Sequence, residues 1–427
     1  MEFEHPSWSY DTNIYEVNVR QYTREGTFQA FEKHLPRLKD MGIEVLWFMP
    51  ITPISIRDRK GTLGSYYAVQ NYTDVNPEFG TLKDFIDLVK YAHHLGFKII
   101  VDWVANHTGN DNTWINEHPD FFCFNEDSQI IHPNGWEDVS KLNYDNQQMR
   151  VAMIDAMKFW VDTCDIDGFR CDMAHLVPLE FWKRARRELR RTKEDLFWLA
   201  ECEEANYHEV FDATYTWNWM HKTEAFCKKQ ADLKSLEELL MQYHLLFYKD
   251  AFRVYFTSNH DENSWNGTEY EKYGDAAKVL AVFSCTWKGI PMIYSGQELP
   301  NNKRLHFFDK DQIEWKQKCE LHDFYKTLLH LRKTNAALRA GDTNAVSTKI
   351  KTNHEDKIFA FTRKNGNDEV LVILNFSAEI IFYDFFIGNL NGAFINIFDK
   401  TVINISSLQD IELQPWGYLV YEKEKAL

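Results

Sequence analysis

Four short stretches of the 427-residue chain carry side chains suited to acid–base or nucleophilic chemistry. They are residues 102–107 (Asp-Trp-Val-Ala-Asn-His), Arg170-Cys171-Asp172, Glu201, and Asn259-His260-Asp261. On an extended segment alternate residues share a face, so Arg170 and Asp172 point the same way. A cation beside a carboxylate holds it ionised near neutral pH, the state that a carboxylate nucleophile needs. Taken alone, the pair reads equally as a structural ion pair capping a strand. The other stretches change that balance, because Glu201 and Asp261 also close apolar, strand-like runs. Where such ends meet, the carboxylates repel: at least one pKa rises while Arg170 keeps another low. One proton donor and one ionised nucleophile make the pair that cleaves a glycosidic bond with retention.

The elements that would position these groups recur along the chain. Strand-like runs fall at residues 14–22, 43–50, 97–104, 166–173, 196–202, 211–217, 252–258 and 290–294, several of them continuously apolar, as in a sheet covered by helices. Between them lie amphipathic stripes. Thr81 is placed to cap a helix that stops at Gly96. Phe28, Phe31, Leu35 and Leu38 form a second stripe ending at Gly42, with Pro36 inside it as a breaker. Asp275 is placed to cap a run over 276–287, and residues 324–338 close the series. Eight strand-then-helix units over ~330 residues predict a (β/α)₈ TIM barrel. The competitor, a doubly wound open sheet, lacks a Gly-rich phosphate turn after an early strand.

One connection, residues 107–143, loses the helical pattern, and a long insertion at the carboxyl rim of a barrel strand is commonly functional. Beyond about residue 341 the pattern turns to short strands at 357–363, 370–376, 380–386, 394–398 and 418–421, punctuated by Asn365-Gly366 and Asn391-Gly392. The expected domains are therefore a barrel over 1–106 and 144–340, a short insertion over 107–143, and an antiparallel β-sandwich over 341–427.

A formal charge of −16 argues against nucleic acid as partner. No apolar run reaches the ~18 residues of a membrane span. The seven Cys show no C-x-x-C pair and read as reduced thiols. Together with a start lacking a signal-peptide pattern, they favour a cytoplasmic chain, although a processed exported protein would leave the same pattern. Oligomeric state is not encoded in any motif found.

In these motifs the chain resembles the α-amylase family of glycoside hydrolases over nearly its whole length. Besides the four strand-end stretches, residues 42–50, Gly64-Ser65-Tyr66-Tyr67 through residues 76–81, and 289–298 carry the likeness. The resemblance implies Asp172 as nucleophile, Glu201 as acid and base, and Asp261 as a grip on ring hydroxyls. It implies an α-glucan or maltooligosaccharide as substrate, with cyclomaltodextrin hydrolysis and transglycosylation as alternatives, and an inactive glucan-binding relative as a remote one. Arg170 would orient Asp172; His107 and His260 would hydrogen-bond sugar hydroxyls; Tyr67 would stack beneath the sugar.

Other positions have two readings. Asp102 either anchors the barrel mouth or touches sugar, and Arg304 either reaches the site or forms a surface salt bridge. Trp114, Trp136 and Trp265 are sugar platforms or loop cores, and Tyr66 reads as packing. Where relatives carry Lys-His three and four places after the nucleophile, this chain has His175 and Leu176, so His175 would line the acceptor side without a Lys. Asn106 matches a calcium ligand of many members. The acidic insertion (Asp120, Glu126, Asp127, Glu137, Asp138) either completes an oxygen cage or is a solvated loop. No organic cofactor is implied.

Overall fold

A computed structural model describes residues 4–384, 390–405 and 411–424. Eight parallel strands close into a barrel in sequence order: Ile14–Val17, Val45–Phe48, Lys98–Trp103, Gly168–Cys171, Phe197–Ala200, Ala213–Tyr215, Phe252–Tyr255 and Ile290–Tyr294. Alternation along these strands fills the interior with Ile14, Val45, Trp47, Ile100, Phe197, Leu199, Phe252, Val254, Ile290 and Met292. Each such side chain contributes ~1.5–3 kcal/mol relative to leaving it in water. The opposite faces pack under the helices, which is why the runs read as continuously apolar.

Local signals set several helix ends. Thr81 and Asp84 form a reciprocal capping box on the helix Leu82–His94. Gly42, at φ +93°, ends the helix Leu35–Met41.

Three expectations need correction. The first strand stops at Val17, and residues Val19–Tyr22 turn into a short helix because the Asn18 side chain caps it by accepting from the Gln21 N–H. The stripe after residue 28 is broken into Phe28–Glu32 and Leu35–Met41, which leaves Pro36 in a first turn, where its missing N–H costs nothing. Asp275 does not cap; it lies inside a 3₁₀ turn, Gly274–Ala276, ahead of the helix Ala277–Thr286.

The insertion folds back on the barrel rim as a strand pair, His107–Gly109 against Val139–Lys141. The carboxyl-terminal unit is a six-stranded antiparallel sheet faced by the two-stranded pair Ile381–Tyr383 and Ile411–Leu413, with Ile358, Leu371, Ile373, Ile381, Tyr383 and Leu413 between the layers. The expected strand over 380–386 runs partly outside the described residues. Phe359 and Phe361 of this sheet pack on Phe283 and Trp287 of the barrel, with Trp287 and Phe361 ring centroids 4.8 Å apart. No described helix is long and apolar enough to cross a membrane.

On the fourth strand Gly168 pairs with Phe197 of the fifth, and an added Cβ there would lie 2.0 Å from the Phe197 carbonyl oxygen. Because the obstacle is backbone, one strand must move. Gly168→Ala is expected to cost about 3 kcal/mol, the upper range for overpacking, read as a drop in melting temperature. A melting temperature equal to wild type would show that the two strands can separate freely at this point.

Candidate active site

The parallel ladder itself delivers the acids to one rim. Asp102 and Arg170 are register partners on the third and fourth strands. One step beyond, the Asp172 N–H donates to the Trp103 carbonyl and the Glu201 N–H to the Cys171 carbonyl, each at 3.0 Å. Asp172 and Glu201 are thus fixed by sheet-like hydrogen bonds rather than by free loops. His260 and Asp261 follow the seventh strand, and Tyr67 arrives on the connection after the second.

Arg170 is fully buried and is the hub. Its Nη1 contacts Asp102 Oδ1 and Oδ2 at 3.0 and 3.2 Å and Asp172 Oδ1 at 3.2 Å, and its Nη2 lies 2.9 Å from Glu201 Oε1. The guanidinium also stacks over Trp47, 4.9 Å from the ring centroid. One cation is therefore divided among three carboxylates. The consequence differs from the expectation that Arg170 keeps Asp172 low. Burial and the negative charge of Glu201 push Asp172 well above the ordinary range, and Arg170 offsets only part of this. Asp102, desolvated beneath the site, is raised to about 6 although Arg170 opposes the rise.

A second chain of contacts braces the site from the first strand. Burial disfavours charge on His260, yet Asp261 and Glu16 raise it to about 9, so the ring is cationic at neutral pH. With both nitrogens protonated, Nδ1 donates to Glu16 Oε1 and Nε2 to the Tyr67 hydroxyl at 2.7 Å. That hydroxyl donates to Asp102 Oδ2 at 3.0 Å. The rings of Tyr67 and His260 stack with centroids 5.4 Å apart. Glu16 was not recognised from sequence; its one signal is an acid inside the apolar run Ile14-Tyr15-Glu16-Val17.

Asp172, Glu201, Asp261, Tyr67 and His107 face a common cavity of about 300 Å³, small for a ligand site but of that class. Burial holds His107 near a pKa of 4, hence neutral and able both to donate and to accept. Trp136, Trp265, Phe307 and Phe308 line the cavity too, as do Lys60 and Asp138, which had not been singled out for it. Lys60 Nζ and Asp138 Oδ1 are 2.6 Å apart.

Several expected site residues lie elsewhere. His260 is 1% exposed and sits behind Tyr67, so it supports the platform instead of facing the cavity. Asp102 likewise anchors the mouth. Arg304 is paired with Glu271 at 2.8 Å on the surface, and His175 is exposed in a 3₁₀ turn; neither borders the cavity. Trp114 is half-buried and packs the insertion onto the barrel, between Tyr72 and Phe121.

The residues present do not fit a calcium cage. Asn106 is buried, with its amide 3.3 Å from His107 Nδ1. Asp138 is taken by Lys60 and Asp120 by Asn146, while Glu126, Asp127 and Glu137 are exposed. Among the described residues no three His, Cys, Asp or Glu gather as metal ligands, whereas calcium requires about six to eight oxygens.

Comparison with known proteins agrees with this geometry. The sequence profile "Alpha amylase, catalytic domain" matches residues 9–139 and 124–314, and "Alpha amylase, C-terminal all-beta domain" matches 350–417. The α-amylase MalA of Haloarcula japonica is 26% identical over 88% of this chain, which spans 57% of that relative's length. Among solved structures, the noncanonic maltogenic α-amylase AmyB from Thermotoga neapolitana superposes with a TM-score of 0.88 at 29% identity, covering 98% of this chain and 99% of its own. An α-amylase from Lactobacillus plantarum gives 0.88 at 26% identity, over 97% and 99%.

The contact between Glu16 and His260 is open to direct measurement. In Glu16→Gln the His260 midpoint, followed by NMR of the ring protons, is expected to fall by at least about one unit from its wild-type value, because one of two stabilising charges is removed. A midpoint still near 9 would mean that Asp261 alone holds the proton.

Proposed function

The chain belongs to the α-amylase family of glycoside hydrolases, and from that premise we propose that it cleaves α-1,4-glucosidic bonds of starch-type glucans or maltooligosaccharides by double displacement. The observation that carries this reading is that one buried guanidinium contacts both Asp172 and Glu201. Glu201 Oε2 also accepts from the Met173 N–H at 2.8 Å, which ties it to the residue next to the nucleophile. Two carboxyls gathered this closely favour the short separation of ~5–5.5 Å used with retention over the wider gap that admits a water between sugar and base.

In the first step a carboxylate oxygen of Asp172 attacks the anomeric carbon as the glycosidic C–O bond breaks. Glu201 gives its proton to the departing oxygen, and a β-glycosyl ester of Asp172 forms. In the second step a water attacks the same carbon, Glu201 takes up the water's proton, and the Asp172 carboxylate leaves. The sugar is released in the α configuration with Glu201 reprotonated. The negative charge of Glu201 and burial raise Asp172 above the ordinary carboxylate range. Asp261, at the open side of the cavity, would hold ring hydroxyls, and Tyr67 would supply a flat apolar surface for the ring.

A second reading has a specific support. Lys60 and Asp138, joined across the cavity wall, fasten the loop after the second strand to the insertion and narrow the cleft. That favours short or cyclic maltooligosaccharides, or transfer to a second sugar, over long chains. A product time course on amylose, cyclodextrin, pullulan and maltotriose separates these outcomes.

Asp172→Asn is expected to lower kcat by ~10⁴-fold or more, as for removal of an essential nucleophile, with the melting temperature unchanged or raised. Full activity in a clean preparation would place the nucleophile elsewhere. The first product should be the α-anomer by NMR; initial β-product rules out double displacement. The acid limb of kcat/KM should lie above the ordinary Asp value of ~3.9, because activity falls as Asp172 protonates at its raised pKa. In Glu201→Gln, assayed on a glycosyl fluoride whose leaving group needs no proton, that limb should move to lower pH. An unmoved limb would deny the two charges any coupling.

A further inference from the structure

We propose that the outer base of the barrel, where the seventh strand meets the carboxyl-terminal sheet, binds a small inorganic anion between Arg253, Arg363 and Lys288. Phe252 and Val254 fill the barrel interior, so the alternate residues Arg253 and Tyr255 face outward. Lys288 is brought to the same place by Gly289, where a Cβ would lie 2.3 Å from the Arg253 carbonyl oxygen and 2.7 Å from Tyr255 Cδ2. From the facing sheet, Phe359, Phe361 and Arg363 alternate on one side of the strand Ile358–Asn365. The two aromatics pack on Trp287, next to Lys288.

The two arginines are buried and Lys288 is half-buried, and none of the three forms an ion pair with an acid among the described residues. Arg363 is 0% exposed, and Arg253 is 5% exposed with its guanidinium over Tyr243, 4.7 Å from the ring centroid. Among the described residues Nε and Nη1 of Arg363 have no hydrogen-bond partner, Arg253 meets the Tyr255 hydroxyl and no carbonyl or carboxylate, and Arg363 Nη2 reaches the Arg339 carbonyl at 3.3 Å. The acids whose charge extends here, Glu203, Asp250 and Asp342, form no ion pair with Arg253, Lys288 or Arg363 among the described residues; Glu203 accepts from the Asn218 N–H and the Tyr243 hydroxyl. Asp342 instead accepts from the Asn365 amide and the Asn344 N–H. The nearby Arg332 makes the contrast, since it is fully buried yet donates to the carbonyls of Thr12, Leu338 and Gly289.

Burial, with repulsion from Arg253 and Arg363, lowers Lys288 to about 8, and burial, with repulsion from Arg332, lowers Arg363 to about 9, the direction expected when positive charges gather without a paired counterion. Water could satisfy the orphaned donors but would leave the excess charge; an anion answers both. Planar guanidinium forks suit oxyanions in particular, and a halide can occupy the same donors. None of these residues borders the catalytic cavity, so the inference stands whether or not the proposed reaction does.

The test uses the full chain in a gluconate buffer, with sodium phosphate or sodium bromide exchanged in at constant ionic strength. We expect a saturable rise of about 2–4 °C in melting temperature with at least one of the two anions. Arg363→Met should lose more than half of that rise while melting no lower than wild type in gluconate. If that variant does not fold, Arg253→Met carries the same expectation. Crystals grown in bromide should show an anomalous peak within ~3.5 Å of guanidinium nitrogens of Arg253 and Arg363. A response to phosphate alone identifies an oxyanion site, and a response to both a general anion site. A linear, unsaturated response equal in wild type and variant, or water alone between the guanidinium groups in bromide crystals, overturns the proposal.

Discussion

A single buried positive charge, that of Arg170, stands under three carboxylates drawn from three strands. Each acid alone would resist leaving water, and together they repel. Removing the cation would cost ~3–5 kcal/mol, since the buried acids are left without their partner, whereas neutralising one acid relieves repulsion among them. Arg170 is held in turn by Trp47 and Tyr215, whose ring faces lie toward the guanidinium from within the barrel. The apolar interior of the fold and the polar mouth therefore meet at one side chain. The positive count still falls short of the negative one, and burial adds to that shortfall, so Asp172 and Asp102 are both raised.

The remaining polar groups form a brace. Glu16, His260, Tyr67 and Asp102 connect the first, seventh, second and third strands through consecutive hydrogen bonds. Closing the barrel is what makes this possible, since the first strand pairs with both the second and the eighth. In an open sheet the first and seventh strand ends would lie apart. The brace also explains why a cationic histidine is tolerated almost without solvent: it sits between Glu16 and Asp261, and a ring stacks on it.

The insertion is fastened to the barrel by the ammonium group of Lys60, paired with Asp138. A monovalent point charge on a flexible stem satisfies one carboxylate; it does not gather several as a divalent ion does. The result is a cavity with a salt bridge in one wall and an aromatic border beside the acids, with Trp265 against Phe307 and Phe308. At the opposite end of the barrel the balance of charge is reversed, with arginines and a lysine gathered where no acid meets them.

What the chain alone determined was what depends on neighbours in sequence. Short apolar runs, several of them continuous, marked all eight barrel strands, and Thr81 and Gly42 marked helix ends through their own capping chemistry. Asp172, Glu201 and Asp261 were legible because each follows an apolar strand directly. The helix Val19–Tyr22 was missed because its cap comes from a single Asn18 side chain inside a run that otherwise reads as strand. Tertiary structure decided whatever needed partners far apart in the chain. It turned His260 from a sugar contact into a support, separated Arg304 and His175 from the cavity, and brought Glu16, Lys60 and Asp138 into the site's surroundings. It also buried Asp172 beside Glu201, and so raised its pKa where local pairing with Arg170 predicted a low one. The physical reason is that electrostatic energy and desolvation depend on distances and burial, which the order of residues does not contain until the barrel closes.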